Sequence, residues 1–190
     1  MFKIKRLNFW QKVAVCGAII GTITVGSYGY YLLFLTSPIH IVAFDNQQHT
    51  KQIVDIFNAD RYWLTANPEQ SIEYMLKYRA SDESLASVGR MNIRVLEDHG
   101  KVVGFTTYYM DKPDVGRVLF LAIDKNFRGK RYGEKLLRYA IEDLIRLGAT
   151  KKIWLATRVE NYPAQALYKR VGFVESGKEH GFLFFDYVLS

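Results

Sequence analysis

The stretch Arg128-Gly-Lys-Arg-Tyr-Gly133 runs straight into an amphipathic helical pattern, and that arrangement suits an anion. A loop entering a helix offers unpaired backbone N–H groups and the positive end of the helix dipole. Phosphate oxygens bind well at such a place. Gly129 and Gly133 let the backbone approach a ligand closely, while Arg128, Lys130 and Arg131 add positive charge around Tyr132. The same basic residues also read as a solvated face. Neither the Gly-x-x-x-x-Gly-Lys-Ser/Thr pattern of a nucleotide loop nor the Gly-x-Gly-x-x-Gly of a dinucleotide fold is present.

A second stretch follows at Asn161-Tyr-Pro-Ala-Gln-Ala-Leu-Tyr168, closing with Gly172-Phe173. Asn161 suits the N-cap region of a short helix begun by Pro163, and Tyr168 sits two turns later. Read without context, Tyr168 is a core tyrosine and Asn161 a cap. Taken with the strand end Leu121-Ala122-Ile123, the two stretches resemble the GCN5-related N-acetyltransferase (GNAT) superfamily over roughly residues 39–190, most densely over 115–173. The family's pyrophosphate motif, Gln/Arg-x-x-Gly-x-Gly/Ala, is matched at Arg128 and Gly133, with Arg131 where the middle glycine is usual. Its second motif, Asn-x-x-Ala-x-x-Leu-Tyr-x-x-x-Gly-Phe, is matched from Asn161 to Phe173.

The resemblance implies an α/β fold, an α+β mixed sheet, and acetyl-CoA as co-substrate. It implies that backbone groups at Leu121 and Ile123 hold the pantetheine arm and that Arg128, Gly129, Lys130, Arg131, Tyr132 and Gly133 bind the pyrophosphate. Asn161 would contact the cofactor near its reactive end, and Tyr168 would protonate the departing CoA thiolate. The reaction implied is direct transfer of an acetyl group to a primary amine. Such an amine has an unperturbed pKa near 10, so a base or water chain must take a proton, and the developing oxyanion needs a donor. No acid lies within Val115–Ile123; Glu160, the nearest carboxylate to the second motif, reads as an exposed loop acid. That gap and Arg131 keep open a non-catalytic acyl-CoA sensor. The acceptor is not legible, because one fold serves many amines.

The elements that must position these residues follow from periodicity. Ile39–Phe44 reads as a first strand, and Ile53, Ile56 and Phe57 recur at helical spacing. Asn67-Pro68-x-Gln70 reads as a capping box opening a helix through Ile72, Met75 and Leu76. Met91, Ile93 and Val95 alternate as a strand does, Asp98-His99-Gly100 is a hairpin turn, and Val102–Met110 returns. Val115–Ile123 is a third strand after a turn at Asp111–Asp114, and its run Val118–Ile123 suggests burial on both faces. Leu137, Ala140, Ile141 and Leu144 mark the helix after the loop, ended by Gly148. Ile153–Thr157 and Phe182–Leu189 complete the strands.

Before this domain, assigned to residues 37–190, comes a different kind of segment. Val13–Leu35 carries no charge over 23 residues, about 34 Å of helix, enough to span a hydrocarbon core of about 30 Å. Its glycines suit a membrane helix, and Trp10, Tyr28, Tyr30 and Tyr31 stand near its ends as interfacial aromatics do. The reading is a transmembrane helix at 13–35, in contact with the lipid bilayer, after a basic flank at 1–12. A cleaved secretory signal fits less well, since no small-residue cleavage site follows. Gly17-x-x-x-Gly21 offers a helix-pairing face and hence a homodimer. The basic flank predicts a cytoplasmic N-terminus for a single-pass chain and leaves open which side holds the catalytic domain.

The net charge of +7 is uneven. Lys3, Lys5, Arg6 and Lys12 precede any acid, and the remainder carries 22 Lys and Arg against 19 Asp and Glu. Nucleic-acid binding is therefore not expected. One cysteine, Cys16, excludes an internal disulfide, and His40, His49, His99 and His180 show no ligand spacing, so no metal is expected.

Overall fold

The computed structural model describes residues 39–67, 69–76 and 91–189. The flank 1–12 and the expected membrane helix 13–35 lie outside the described residues. Among the described residues no helix is long and apolar enough to cross a membrane.

Strand β1 (Ile39–Ala43) leads into helix α1 (Asn46–Leu64) and a short α2 (Ile72–Tyr74). Then come β2 (Asn92–Asp98), β3 (Lys101–Lys112), β4 (Val115–Ile123) and a 3-10 turn at Lys125–Phe127. Helix α3 (Tyr132–Arg146), β5 (Lys152–Arg158), α4 (Tyr162–Val171), β6 (Val174–Glu179) and β7 (Phe182–Val188) complete the chain. The strands form a mixed sheet in the order β1-β2-β3-β4-β5-β7-β6. The β4–β5 pair is parallel and every other neighbouring pair antiparallel. The mixed α/β sheet expected from the sequence is thus observed.

Local chemistry explains the joints. Asp45 caps α1 by accepting from the N–H groups of Gln47 and Gln48. His99 and Gly100 both take positive φ, 52° and 73°, as a two-residue hairpin turn matching the strand twist requires. Helix α4 ends at Gly172, φ 113°, where Phe173 N–H returns to the Tyr168 carbonyl in the usual glycine stop.

Apolar side chains fill both faces of the sheet. On one face Ile53 and Phe57 of α1, Ile72 of α2 and Met75 just after it pack against Val95, Phe105 and Phe120. On the other, α3 and α4 pack Leu137, Leu144, Tyr168 and Val171 against Tyr108, Val118, Ile153 and Phe185. Strand β4 serves both faces by changing sides partway. Thr107 pairs with Phe120 and Tyr108 with Val118, so Leu119 is an extra residue with no partner on β3. Such a bulge resets the alternation of side chains. Val118 faces α3, but Phe120 and Ala122 face α1, and Phe57 meets Phe120 edge-on at 5.2 Å between ring centroids.

Three expectations need correction. Val118–Ile123 is not buried on both faces: Val118, Phe120 and Ala122 are buried, whereas Leu119, Leu121 and Ile123 are half-buried because they border a cleft. The capping box at residues 67–70 does not form, since the Gln70 amide binds Thr65 and the Met75 sulfur, and the helix starts only at Ile72. Strand β6 has no counterpart in the sequence reading, because every one of its residues is exposed and no alternation marks it.

Candidate active site

Strands β4 and β5 pair only from Val115 with Lys152 to Arg117 with Trp154 and then part. The gap between them opens into a cavity of about 730 Å³. Leu119, Leu121 and Ile123 line one side, Ala156 and Thr157 the other. Asp60, Trp63 and Leu64 of α1 close it from above, and Ala164, Leu167 and Tyr168 of α4 from behind.

The bulge sets which backbone groups face that gap. Phe120 turns its N–H and C=O toward β3, where the Thr107 hydroxyl accepts at 3.1 Å and the Thr106 hydroxyl donates at 3.0 Å. Peptide groups alternate along a strand, so those of Leu121 and Ile123 turn the opposite way, into the edge that β5 has left. A chain-like ligand with amide groups can complete this edge. The Ile123 carbonyl is already taken by Arg128 Nε at 3.0 Å.

At the mouth stands the N-terminus of α3. The helix opens after Arg131, whose φ of 60° is left-handed, and no side chain caps it. Its first N–H groups therefore keep no partner within the helix, and the dipole's positive end opens on the cavity. Gly129, at φ 83°, makes the turn possible. A Cβ on Gly133 would lie 3.2 Å from Leu167 Cδ2, a tight contact that the end of the leucine would have to relieve, so a small residue suits the passage between α3 and α4.

The loop's side chains also make contacts within the protein. Arg128 forms an ion pair with Asp60 and so ties the loop to α1. Lys130 lies outside the cavity lining; its ammonium sits 5.1 Å from the Phe127 ring centroid and 4.0 Å from Asp98. Arg131 is exposed at the rim. Tyr132 is buried and donates its hydroxyl to Asp98 at 2.7 Å, a bond that holds the carboxyl below its ordinary range and raises the phenol. In this structure the loop presents an anion with backbone N–H groups first and with exposed charge second.

Asn161 is the N-cap of α4, accepting from Ala164 N–H at 3.4 Å, and its amide donates to the Thr157 hydroxyl at 3.1 Å. It also lines the cavity. Tyr168 is buried against Phe185 at 5.6 Å and Phe173 at 6.2 Å between centroids. Its hydroxyl has no protein partner among the described residues, yet no buried side-chain polar atom there lacks one, so the oxygen opens onto the cavity. Burial raises this phenol above its ordinary value, keeping it protonated and able to donate.

Sequence reasoning missed the α1 wall. Asp60, Trp63 and Leu64 lie far from the motifs and carry no local signal. A second arginine fixes this wall from the opposite strand. Arg158 at the end of β5 donates to the carbonyls of Tyr62 and Thr65 at the α1 C-terminus, the latter at 3.1 Å. It lies 4.1 Å over the Tyr62 ring and 5.1 Å over Phe182. His180, in the β6–β7 turn at φ 47°, lies outside the cavity lining.

Comparison with known proteins agrees with this geometry. A family model described as the acetyltransferase (GNAT) family matches residues 50–173. A Bacillus subtilis (strain 168) protein provisionally named a ribosomal protein bS18-alanine N-acetyltransferase is 34% identical over 83 residues, 44% of this chain and 54% of that protein. The spermine/spermidine N(1)-acetyltransferase of the same strain is 35% identical over 86 residues, 42% of this chain and 57% of the relative. The match thus spans little more than half the length of these relatives. Among solved structures, yncA of Salmonella typhimurium, determined with its cofactor acetyl-CoA, superposes with a TM-score of 0.64 at 17% identity. The match covers 81% of this chain and 95% of that one. A GCN5-related N-acetyltransferase from Kribbella flavida gives 0.67 at 18% identity over 80% and 98% of the two chains.

Proposed function

This chain belongs to the acetyltransferase (GNAT) family, and from that premise we propose that it transfers the acetyl group of acetyl-CoA directly to a primary amine. One observation carries the reading: an uncapped helix N-terminus, an unpaired strand edge and an open tyrosine hydroxyl line a single cleft in that order. The α3 N-terminus takes the pyrophosphate of CoA. The exposed peptide groups of Leu121 and the N–H of Ile123 pair with the pantetheine amides, which brings the thioester toward the bulge at Leu119. Asn161 holds the start of α4, and α4 aims Tyr168.

The amine attacks the thioester carbon as a neutral nucleophile, and a backbone N–H beside the bulge meets the oxyanion. Collapse breaks the carbon–sulfur bond, and Tyr168 donates its proton to the leaving thiolate. Asp60 is spent on Arg128 and Glu134 on Arg138, so Glu160 is the cavity carboxylate left to receive the amine's proton, directly or through water. The presence of these carboxylates favours an enzyme over a sensor. We also assign the uncharged run 13–35 to a membrane anchor with its N-terminus in the cytoplasm.

Calorimetry with acetyl-CoA, together with release of free thiol across an amine panel, tests the reaction. Micromolar binding with turnover supports it; binding without turnover on any amine favours the sensor, and no binding refutes both. Labelling of cysteines introduced on either side of the run, in intact membranes, tests the anchor.

A further inference from the structure

Arg117 and Trp154 are the last partners of the β4–β5 ladder before the strands part. Their side chains meet on one face, where the guanidinium carbon lies 4.1 Å from the indole ring centroid. Arg117 Nη1 donates to the Tyr109 hydroxyl at 2.9 Å. The indole N–H of Trp154 is spent on Asp111 at 3.1 Å, and Phe184 packs beside the ring at 6.2 Å between centroids. Three aromatic rings and two hydrogen bonds thus hold the guanidinium in place.

What it lacks among the described residues is a direct ion pair. Arg117 is half-buried, yet it forms no ion pair with any carboxylate among the described residues. Of the nearby acids, Asp186 is paired with Lys152 at 2.7 Å, while Asp111 accepts from the Trp154 indole and makes no direct ion pair with Arg117. A guanidinium stacked out of water, with N–H groups left over, is suited to a planar anion arriving from outside.

Its position relates it to the reaction. Leu119 and Ala156, each two residues further along these strands, line the cleft. Side chains alternate, so Trp154 and Ala156 share a face, and the stacked pair stands about 7 Å from the point of splitting. The donor's phosphate end is fixed at the opposite mouth by α3. An amine that reaches the thioester from the Trp154 side passes Arg117.

We propose that Arg117, seated on Trp154 and steered by Tyr109, binds a carboxylate of the acceptor. The acylated amine then belongs to a carboxylate-bearing molecule and not to a polyamine. This inference rests on the N-acetyltransferase reading above. The carboxylate has two sources, a free amino acid or an acidic residue beside a peptide N-terminus.

Matched acceptors that differ in one carboxylate, assayed with the full-length chain, distinguish them. Lysine against cadaverine tests the free amino acid, and Gly-Asp amide against Gly-Asn amide tests the peptide. The carboxylate member of at least one pair is expected to win by about tenfold in kcat/KM. The winning pair names the source. Arg117→Gln should reduce that ratio to within about twofold by raising KM for the carboxylate member, and Arg117→Lys should restore part of it. The ratio within each variant does not depend on how much protein is folded. Turnover in which neither carboxylate member wins its pair overturns the inference, as does a Gln variant that lowers both members of the winning pair by one factor. Turnover without carboxylate preference sinks this inference alone. Absence of acetyl-CoA binding and of turnover on the whole panel sinks the N-acetyltransferase reading, and this inference with it.

Discussion

The two walls of the cleft are held by different physics. The wall made by β4, α3 and α4 is an outgrowth of the core: Leu136, Leu137, Ala140 and Leu144 of α3 are fully buried. A polar network behind it adds to the hold. Tyr108 donates its hydroxyl to Asp143, and Arg94 reaches the same carboxylate at 3.4 Å. The facing wall is the last turn of α1, where Trp63 is 38% exposed and two arginines, Arg128 and Arg158, do the holding. A wall fixed by packing is pre-set and hardly responds to salt, whereas one fixed by partly exposed ionic contacts is weaker and screened. The donor side is thereby rigid and the α1 side adjustable.

Experiments can break or sharpen that contrast. The largest effect is expected on the packed side, at the proposed proton donor. Tyr168→Phe should lower kcat by about 10²–10⁴ with little change in thermal stability, since the hydroxyl holds nothing in the protein. Burial raises the phenol, so the wild-type acid stays protonated as pH climbs through the ordinary tyrosine value near 10. The pH–rate profile should show no loss from this group at pH 9–10. A kcat left unchanged in the Phe variant would remove Tyr168 from the role.

Next comes the passage beside α3. Gly133→Leu should weaken acetyl-CoA binding by about a hundredfold in calorimetry, because the side chain enters the space against Leu167. Unchanged affinity would mean the donor does not pass there.

A smaller effect is expected across the cleft. Arg158→Met should raise KM for the amine about tenfold more than for acetyl-CoA, and Arg158→Lys should recover part of it by keeping charge at the α1 C-terminus. Equal changes in both KM values would show that the two walls are not independent.

The smallest concerns the loop itself. Arg131→Gly relieves a left-handed backbone costing roughly 1–2 kcal/mol but adds unfolded-state freedom, for a net gain of about 0.5 kcal/mol. Thermal denaturation should show a rise of about 1–2 °C.

These contrasts also mark what the sequence could reveal. The packed wall was legible because it announces itself locally: the 3.6-residue rhythm of Leu137, Ala140, Ile141 and Leu144, and the caps at Asn161 and Gly172. The loop stands at the start of α3 as the sequence indicates, while the contacts its side chains make within the protein are not legible there. Nothing in Arg128-Gly-Lys reveals that the arginine turns to Asp60 or that the lysine leaves for Asp98, since both partners are distant in the chain. The α1 wall was invisible for the same reason. Its helix shows in Ile53, Ile56 and Phe57, but those residues report the buried face and not where Trp63 will stand. Strand β6, exposed throughout, gave no periodic signal to read.

The extra residue in β4 has a meaning of its own for how such a chain can change over time. Up to Val118 the strand obeys one count of odd and even positions; from Phe120 it obeys the opposite count. Replacing Leu119 by another apolar residue leaves both counts intact, so the position tolerates drift in identity. Losing it does not, because four residues downstream would trade places between the α1 core and the cleft at once. For this stretch what the fold requires is a number of residues, not a particular side chain.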